Sequence, residues 1–118
     1  NIKNDIELDD FINEMTDRFG RMPDEFNNLI KVIKIKRKCK LTNISKIEAG
    51  PKGIVINFYN KIFNNPDGLI NWIEETKLNI KIKNNSQLVV YMSWRNTSEQ
   101  LESIDLIVTK IYEVSLKN

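Results

Sequence analysis

The sequence predicts a small α+β domain, with elements in the order ααββαββα and a mostly antiparallel sheet packed against helices. Two patterns carry this expectation. Apolar residues recur at helical spacing in four segments, and two pairs of β-rich segments are each joined by a short run of turn residues. A third observation bounds the domain count: 118 residues at 41% hydrophobic and 29% charged suffice for one core and exclude the composition of disorder. Residues 1–118 are therefore read as a single domain.

Within Asp5–Phe19, the residues Leu8, Phe11, Ile12, Met15 and Phe19 fall on one helical face, and Gly20 stands where helices commonly end. This predicts a first helix with Phe19 in the core and Gly20 as its stop. Pro23 followed by Asp24 and Glu25 marks a second helix start, since a first turn does not need the missing proline N–H and the acids complement the positive dipole end. That helix should run through Phe26, Leu29, Ile30 and Ile33 toward Leu41, with Asn43 ending it in the left-handed conformation that Asn tolerates.

Residues 44–49 and 54–59 are rich in β-formers, and Gly50, Pro51, Lys52 and Gly53 between them predict a hairpin. Asn65, Pro66 and Asp67 then form a cap-and-proline start for a short helix carrying Leu69, Ile70 and Ile73 on one side, flanked by Trp72. Leu78, Ile80 and Ile82 alternate with polar residues, and Asn84, Asn85 and Ser86 turn the chain into a second strand over 88–94. Thr97 with Gln100 fits a capping box for a last helix, on which Leu101, Ile104, Ile107, Val108 and Ile111 keep helical spacing.

Composition argues against most catalysis. There is no histidine, so the commonest general base and metal ligand is missing, and Cys39 alone forms neither an intramolecular disulfide nor a nitrogen-and-sulfur zinc site. The four glycines are scattered, each beside a turn or cap, so no phosphate loop is present. Asp9 with Asp10, and Glu74 with Glu75, are chain neighbours that point to different helix faces, which excludes them as acid and base partners. The run Asp17-Arg18-Phe19-Gly20 has one residue more than the kinase metal-binding tripeptide and lacks its companion motifs. No catalytic, cofactor-binding or metal-ligating residue is assigned on these grounds, and contact with other protein surfaces is the function class left. No apolar run approaches a membrane span and the N-terminus lacks signal-peptide organisation, so a reducing cytoplasm is expected. A chain that starts at Asn1 without an initiator Met also fits a piece of a longer polypeptide.

Two charged features stand out. Lys31, Lys34, Lys36, Arg37, Lys38 and Lys40 crowd the second helix; such a cluster can neutralise phosphates, yet it equally serves as a solvated face near the negative dipole end. The net charge of only +2, and the lack of interleaved aromatic residues, favour the solvated face. Asp10, Glu14 and Asp17 line one stripe of the first helix and approach its C-terminus, where each acid opposes the dipole at a cost of about 0.3 to 1 kcal/mol. Pairing of Glu14 with Arg18 at the i to i+4 spacing would account for Glu14 and leave Asp17 unexplained. Composition and spacing leave a structural and a functional reading of this stripe evenly matched.

The ordered series Glu14-Met15-Thr16-Asp17-Arg18-Phe19-Gly20-Arg21-Met22-Pro23, then a long helix, then Ile47-Glu48 and 52–58, resembles the C-terminal domain of the bacterial transcription-repair coupling factor family. The resemblance covers roughly residues 7–59, with Met22 where the family usually has Leu and Asn43 where a Gly often closes the helix. It implies a parent that is an ATP-driven DNA translocase, removing stalled RNA polymerase and recruiting UvrA. It implies that this domain carries neither the motor nor the polymerase-binding site, and packs on the UvrB-like N-terminal region so as to mask the UvrA-binding surface. By the same resemblance Glu14 and Asp17 face arginines of the partner region, Arg18 is an orienting neighbour, and Asp10 extends the stripe. That implication tips the reading of the acids toward function, since a carboxylate facing arginine forms a charge-assisted bond. The alternative is a nucleic-acid-binding module working through Lys31, Lys34, Arg37 and Lys38.

Overall fold

Helical periodicity and strand alternation resolve into the expected order of elements in the computed structural model, which describes residues 5–59, 65–84 and 86–117. Helices α1 (Asp5–Phe19) and α2 (Asp24–Leu41) precede the hairpin of β1 (Ile44–Gly50) and β2 (Gly53–Phe58). Helix α3 (Pro66–Glu75), the hairpin of β3 (Asn79–Lys83) and β4 (Gln87–Tyr91), and helix α4 (Thr97–Ser115) follow.

Local chemistry sets most boundaries. Gly20 takes φ +77°, and its N–H donates to the Thr16 carbonyl at 2.8 Å, closing α1. Asn43 sits at φ 62° after α2, and the chain turns at once into β1: the Asn43 side-chain amide donates to the Tyr59 carbonyl at 3.0 Å, and the Tyr59 N–H donates to the Asn43 carbonyl at 2.9 Å. Asn65 caps α3 by accepting from the Gly68 N–H at 3.1 Å, and its amide donates to the Val114 carbonyl at 3.1 Å, pinning α3 to the end of α4. The cap of α4 is a correction. Asn96, not Thr97, holds the cap position, accepting from the Glu99 N–H at 2.8 Å, while Thr97 is already helical. An Asn one residue earlier satisfies the same orphan donors, so the box is offset by one. The turn expected at 84–86 has Asn84 at φ 55°, while Asn85 lies outside the described residues.

The four strands form one antiparallel sheet in the order β1-β2-β4-β3. Both expected hairpins form, although the strand foreseen over 88–94 stops at Tyr91. Ile54, Ile56, Ile80, Leu88 and Val90 face the helices and close one core with Ile35 of α2, Leu69 of α3 and Ile104, Ile107, Val108, Ile111 and Val114 of α4. The helices thus share one face of the sheet, a two-layer arrangement. At the turn between β1 and β2, Gly53 takes φ +150°, and a Cβ there would overlap the Val90 carbonyl oxygen, so close strand approach requires glycine.

Helix α1 stands apart from that core. Leu8 is fully buried and Ile30 nearly so, but neither belongs to the main cluster; the α1–α2 seam also carries the Phe11–Phe26 ring contact, at 6.4 Å between centroids, and the Lys34–Asp9 pair, at 3.1 Å. The expectation that Phe19 enters the core is wrong: it is 67% exposed. Phe19 is the last residue of α1, and Gly20 turns the chain away directly after it, so the ring is left exposed at the helix end.

A candidate protein-interaction surface

Helix α1 carries the acidic stripe. Asp10, Glu14 and Asp17 are all exposed, on a side of the helix different from that of Asp9, which Lys34 holds against α2. Arg18 Nη2 donates to Glu14 Oε1 at 3.0 Å, with both side chains about two-thirds exposed, a contact worth about 0.2 to 0.5 kcal/mol. The Glu14–Arg18 pair foreseen as the structural alternative is therefore present. Asp10 and Asp17 have no hydrogen bond or ion pair among the described residues. Asp17 is the acid nearest the C-terminus of α1, where only Arg18 supplies positive charge in the last turn.

The aromatic ring beside these charges is what sequence reasoning missed. Phe19 keeps helical spacing with Leu8 and Met15, and periodicity alone assigns it to the core. The signal that separates them is position: Phe19 is the last residue of its helix, where Gly20 turns the chain away. One free carboxylate, Asp17, a paired acid with its arginine, and an exposed phenyl ring thus share the C-terminal end of α1, with Asp10 further back along the same stripe.

The cations of α2 do not form a comparable surface. Lys34 is taken by Asp9; Lys38, half-buried, donates to Asp105 Oδ1 at 3.0 Å and Thr109 Oγ1 at 2.7 Å, tying α2 to α4. Arg37 is also engaged, which leaves Lys31 as the unpaired member of the set Lys31, Lys34, Arg37 and Lys38 among the described residues. Lys36 and Lys40 face a different direction, toward a groove beside β1.

Other chemistry is sparse. Burial raises the Cys39 thiol to a pKa of about 11, the opposite of what a nucleophile needs. Among the described residues no cluster of three or more His, Cys, Asp or Glu side chains is close enough to hold a metal ion, and no helix is long and apolar enough to cross a membrane.

The geometry defines a two-layer α+β domain that displays a charged helix end, with several polar side chains spent on caps and helix ties. The chain belongs to the TRCF domain family, whose model matches residues 1–69. Among its relatives, the transcription-repair-coupling factor of Rickettsia typhi is 42% identical over 89 residues and that of Rickettsia bellii 40% identical over 89 residues. Each alignment covers 75% of this chain, which spans only 8% of the length of either relative. The Escherichia coli K12 transcription-repair-coupling factor is 24% identical over 111 residues, covering 94% of this chain and 10% of the relative. A crystal structure of the C-terminal domain of transcription-repair coupling factor superposes with a TM-score of 0.74 at 20% identity, covering 98% of this chain and 74% of that one, which establishes the shared fold.

Proposed function

We propose that this chain is a non-catalytic, C-terminal autoinhibitory domain of a transcription-repair coupling factor, and that it acts by covering a surface of its own polypeptide. The covered surface is the UvrA-binding face of the UvrB-like N-terminal region, and the contact is made by Glu14 and Asp17 with Arg18 as positioning neighbour and Asp10 at the edge. The parent supplies ATP binding, hydrolysis and DNA translocation in the cytoplasm, while this domain decides when UvrA is recruited to a stalled RNA polymerase.

The observation that carries the proposal is Asp17: an exposed carboxylate at the unfavourable end of a helix, without a partner among the described residues. Local stability does not select such an acid. An arginine on a partner surface does, because a charge-assisted and often bidentate bond forms as water is excluded. Coupling of about 1 to 3 kcal/mol is enough to hold a closed state over an open one by some 5- to 150-fold while leaving it releasable.

The test is a binding titration between this chain and the UvrB-like region. Glu14→Lys with Asp17→Lys should leave the circular dichroism spectrum unchanged and weaken binding by about tenfold or more, since like charges then oppose the arginines. Unchanged affinity would remove these residues from the interface.

A further inference from the structure

The sheet ends at β1 and β3, and among the described residues the β1 edge is open in a way that suits a ligand. Hydrogen bonds at the end of β2 set the ladder's parity: the Phe58 N–H donates to the Ser86 carbonyl at 2.9 Å and the Tyr59 N–H to the Asn43 carbonyl at 2.9 Å, so even residues of β2 bond toward β4 and odd residues toward β1. Glu48 and Gly50 oppose Val55 and Gly53 and bond inward, whereas Ile47 and Ala49 turn their N–H and C=O groups to the free edge. Neither residue has a hydrogen-bond partner on that side among the described residues.

The same two residues point their side chains at the helices, because they oppose Ile56 and Ile54, which lie in the core. There, a groove of about 500 Å³ opens between β1, α2 and α4. Ile47 and Ala49 form one wall, Ile35 and Cys39 of α2 the other, and Leu101 and Ile104 of α4 the floor. Lys36 and Lys40, one turn apart on α2, also line it; both are exposed and neither has an ion-pair partner among the described residues. Open edge strands are ordinarily blunted by charge, and a groove of this size beside one is the arrangement that accepts an added strand.

We propose that this groove is a binding site for an extended acidic segment of a protein, which adds to the sheet as a fifth strand beside β1. The main chain of the segment bonds to the outward groups of Ile47 and Ala49. On its helix-facing side an apolar residue fills the space over Cys39 and Leu101, and a carboxylate two residues along meets Lys36 or Lys40. The free lysines select the acidic partner, since a basic or neutral strand would leave both uncompensated. The site lies on elements other than α1, so it stands independently of the autoinhibitory contact.

The probe is a short synthetic peptide with valine and glutamate on one face and serine on the other, and its counterpart with lysine for glutamate, each titrated into the isotope-labelled chain and followed by NMR. Binding of the glutamate peptide should shift the amides of Ile47, Ala49 and the 36–40 segment. It should weaken by about tenfold in Ala49→Pro, which removes an outward donor at an edge position that tolerates proline, and in Lys36→Glu with Lys40→Glu, which should instead accept the lysine peptide. Shifts confined to other surfaces, or equal binding of both peptides to the unaltered chain, would overturn the proposal. Concentration-dependent dimerisation abolished by Ala49→Pro would overturn it in favour of a second copy pairing at this edge.

Discussion

Asp17 and Cys39 show how single side chains here are set by surroundings the chain order does not reveal. Asp17 opposes the dipole of α1, and nothing among the described residues compensates it. Replacing Asp17 with Asn should therefore stabilise the isolated chain by about 0.3 to 1 kcal/mol, read from urea denaturation, while weakening binding to the UvrB-like region. A gain in stability with undiminished binding would reduce Asp17 to a tolerated misfit. Cys39 is held above its ordinary pKa of 9.0, at about 11, by desolvation. The native fold binds that proton more tightly than the unfolded chain, so the stability contributed by the neutral thiol is full below pH 9 and is lost as pH rises through the folded value near 11. Alkylation by iodoacetamide at pH 8 should be slower in the folded chain than in denaturant by on the order of a hundredfold, since each unit of pKa removes a factor of ten in thiolate. The stripe of Asp10, Glu14 and Asp17 was legible from spacing alone, but whether Glu14 was paired was not, because two exposed rotamers decide it.

At the level of elements, periodicity and punctuation carried far. The bounds of α1 follow from Leu8, Met15 and Gly20, and those of α2 from Pro23 and Asn43, since each of these residues has one strong backbone or burial preference. The α4 start was misplaced by one residue because Asn96 and Thr97 are both good caps and only the backbone angle of Asn96, φ −158° and ψ 173°, distinguishes them. Asn96→Ala should cost about 1 kcal/mol of stability in thermal or urea unfolding and Thr97→Ala only a few tenths. The reverse order of effects would return the cap to Thr97. What the pattern could not reveal is which strands meet across the two hairpins. The β2–β4 pairing is long-range, and each hairpin alone satisfies the same alternation.

Across the whole molecule, the cations of α2 are divided among different tasks. Lys34 and Lys38 are held by Asp9 and Asp105, and Lys36 and Lys40 line the groove beside β1, which differs from the single basic stripe that follows a phosphate backbone. Duplex DNA should therefore migrate unretarded with this chain in a gel at low ionic strength; a salt-sensitive shift lost in Lys31→Glu would reinstate nucleic-acid binding. The exposure of Phe19 is set by its place at the last residue of α1, which helical spacing does not register. The molecule is elongated, 47 × 32 × 23 Å, and α1 meets α2 through the Phe11–Phe26 and Asp9–Lys34 contacts. That geometry has a mechanical meaning. Load applied to α1 strains a ring contact and an exposed ion pair one after another, whereas load on the sheet must break a ladder of bonds together. Strain reaching α1 would be given up at those contacts first, and the sheet with its helices would keep its fold.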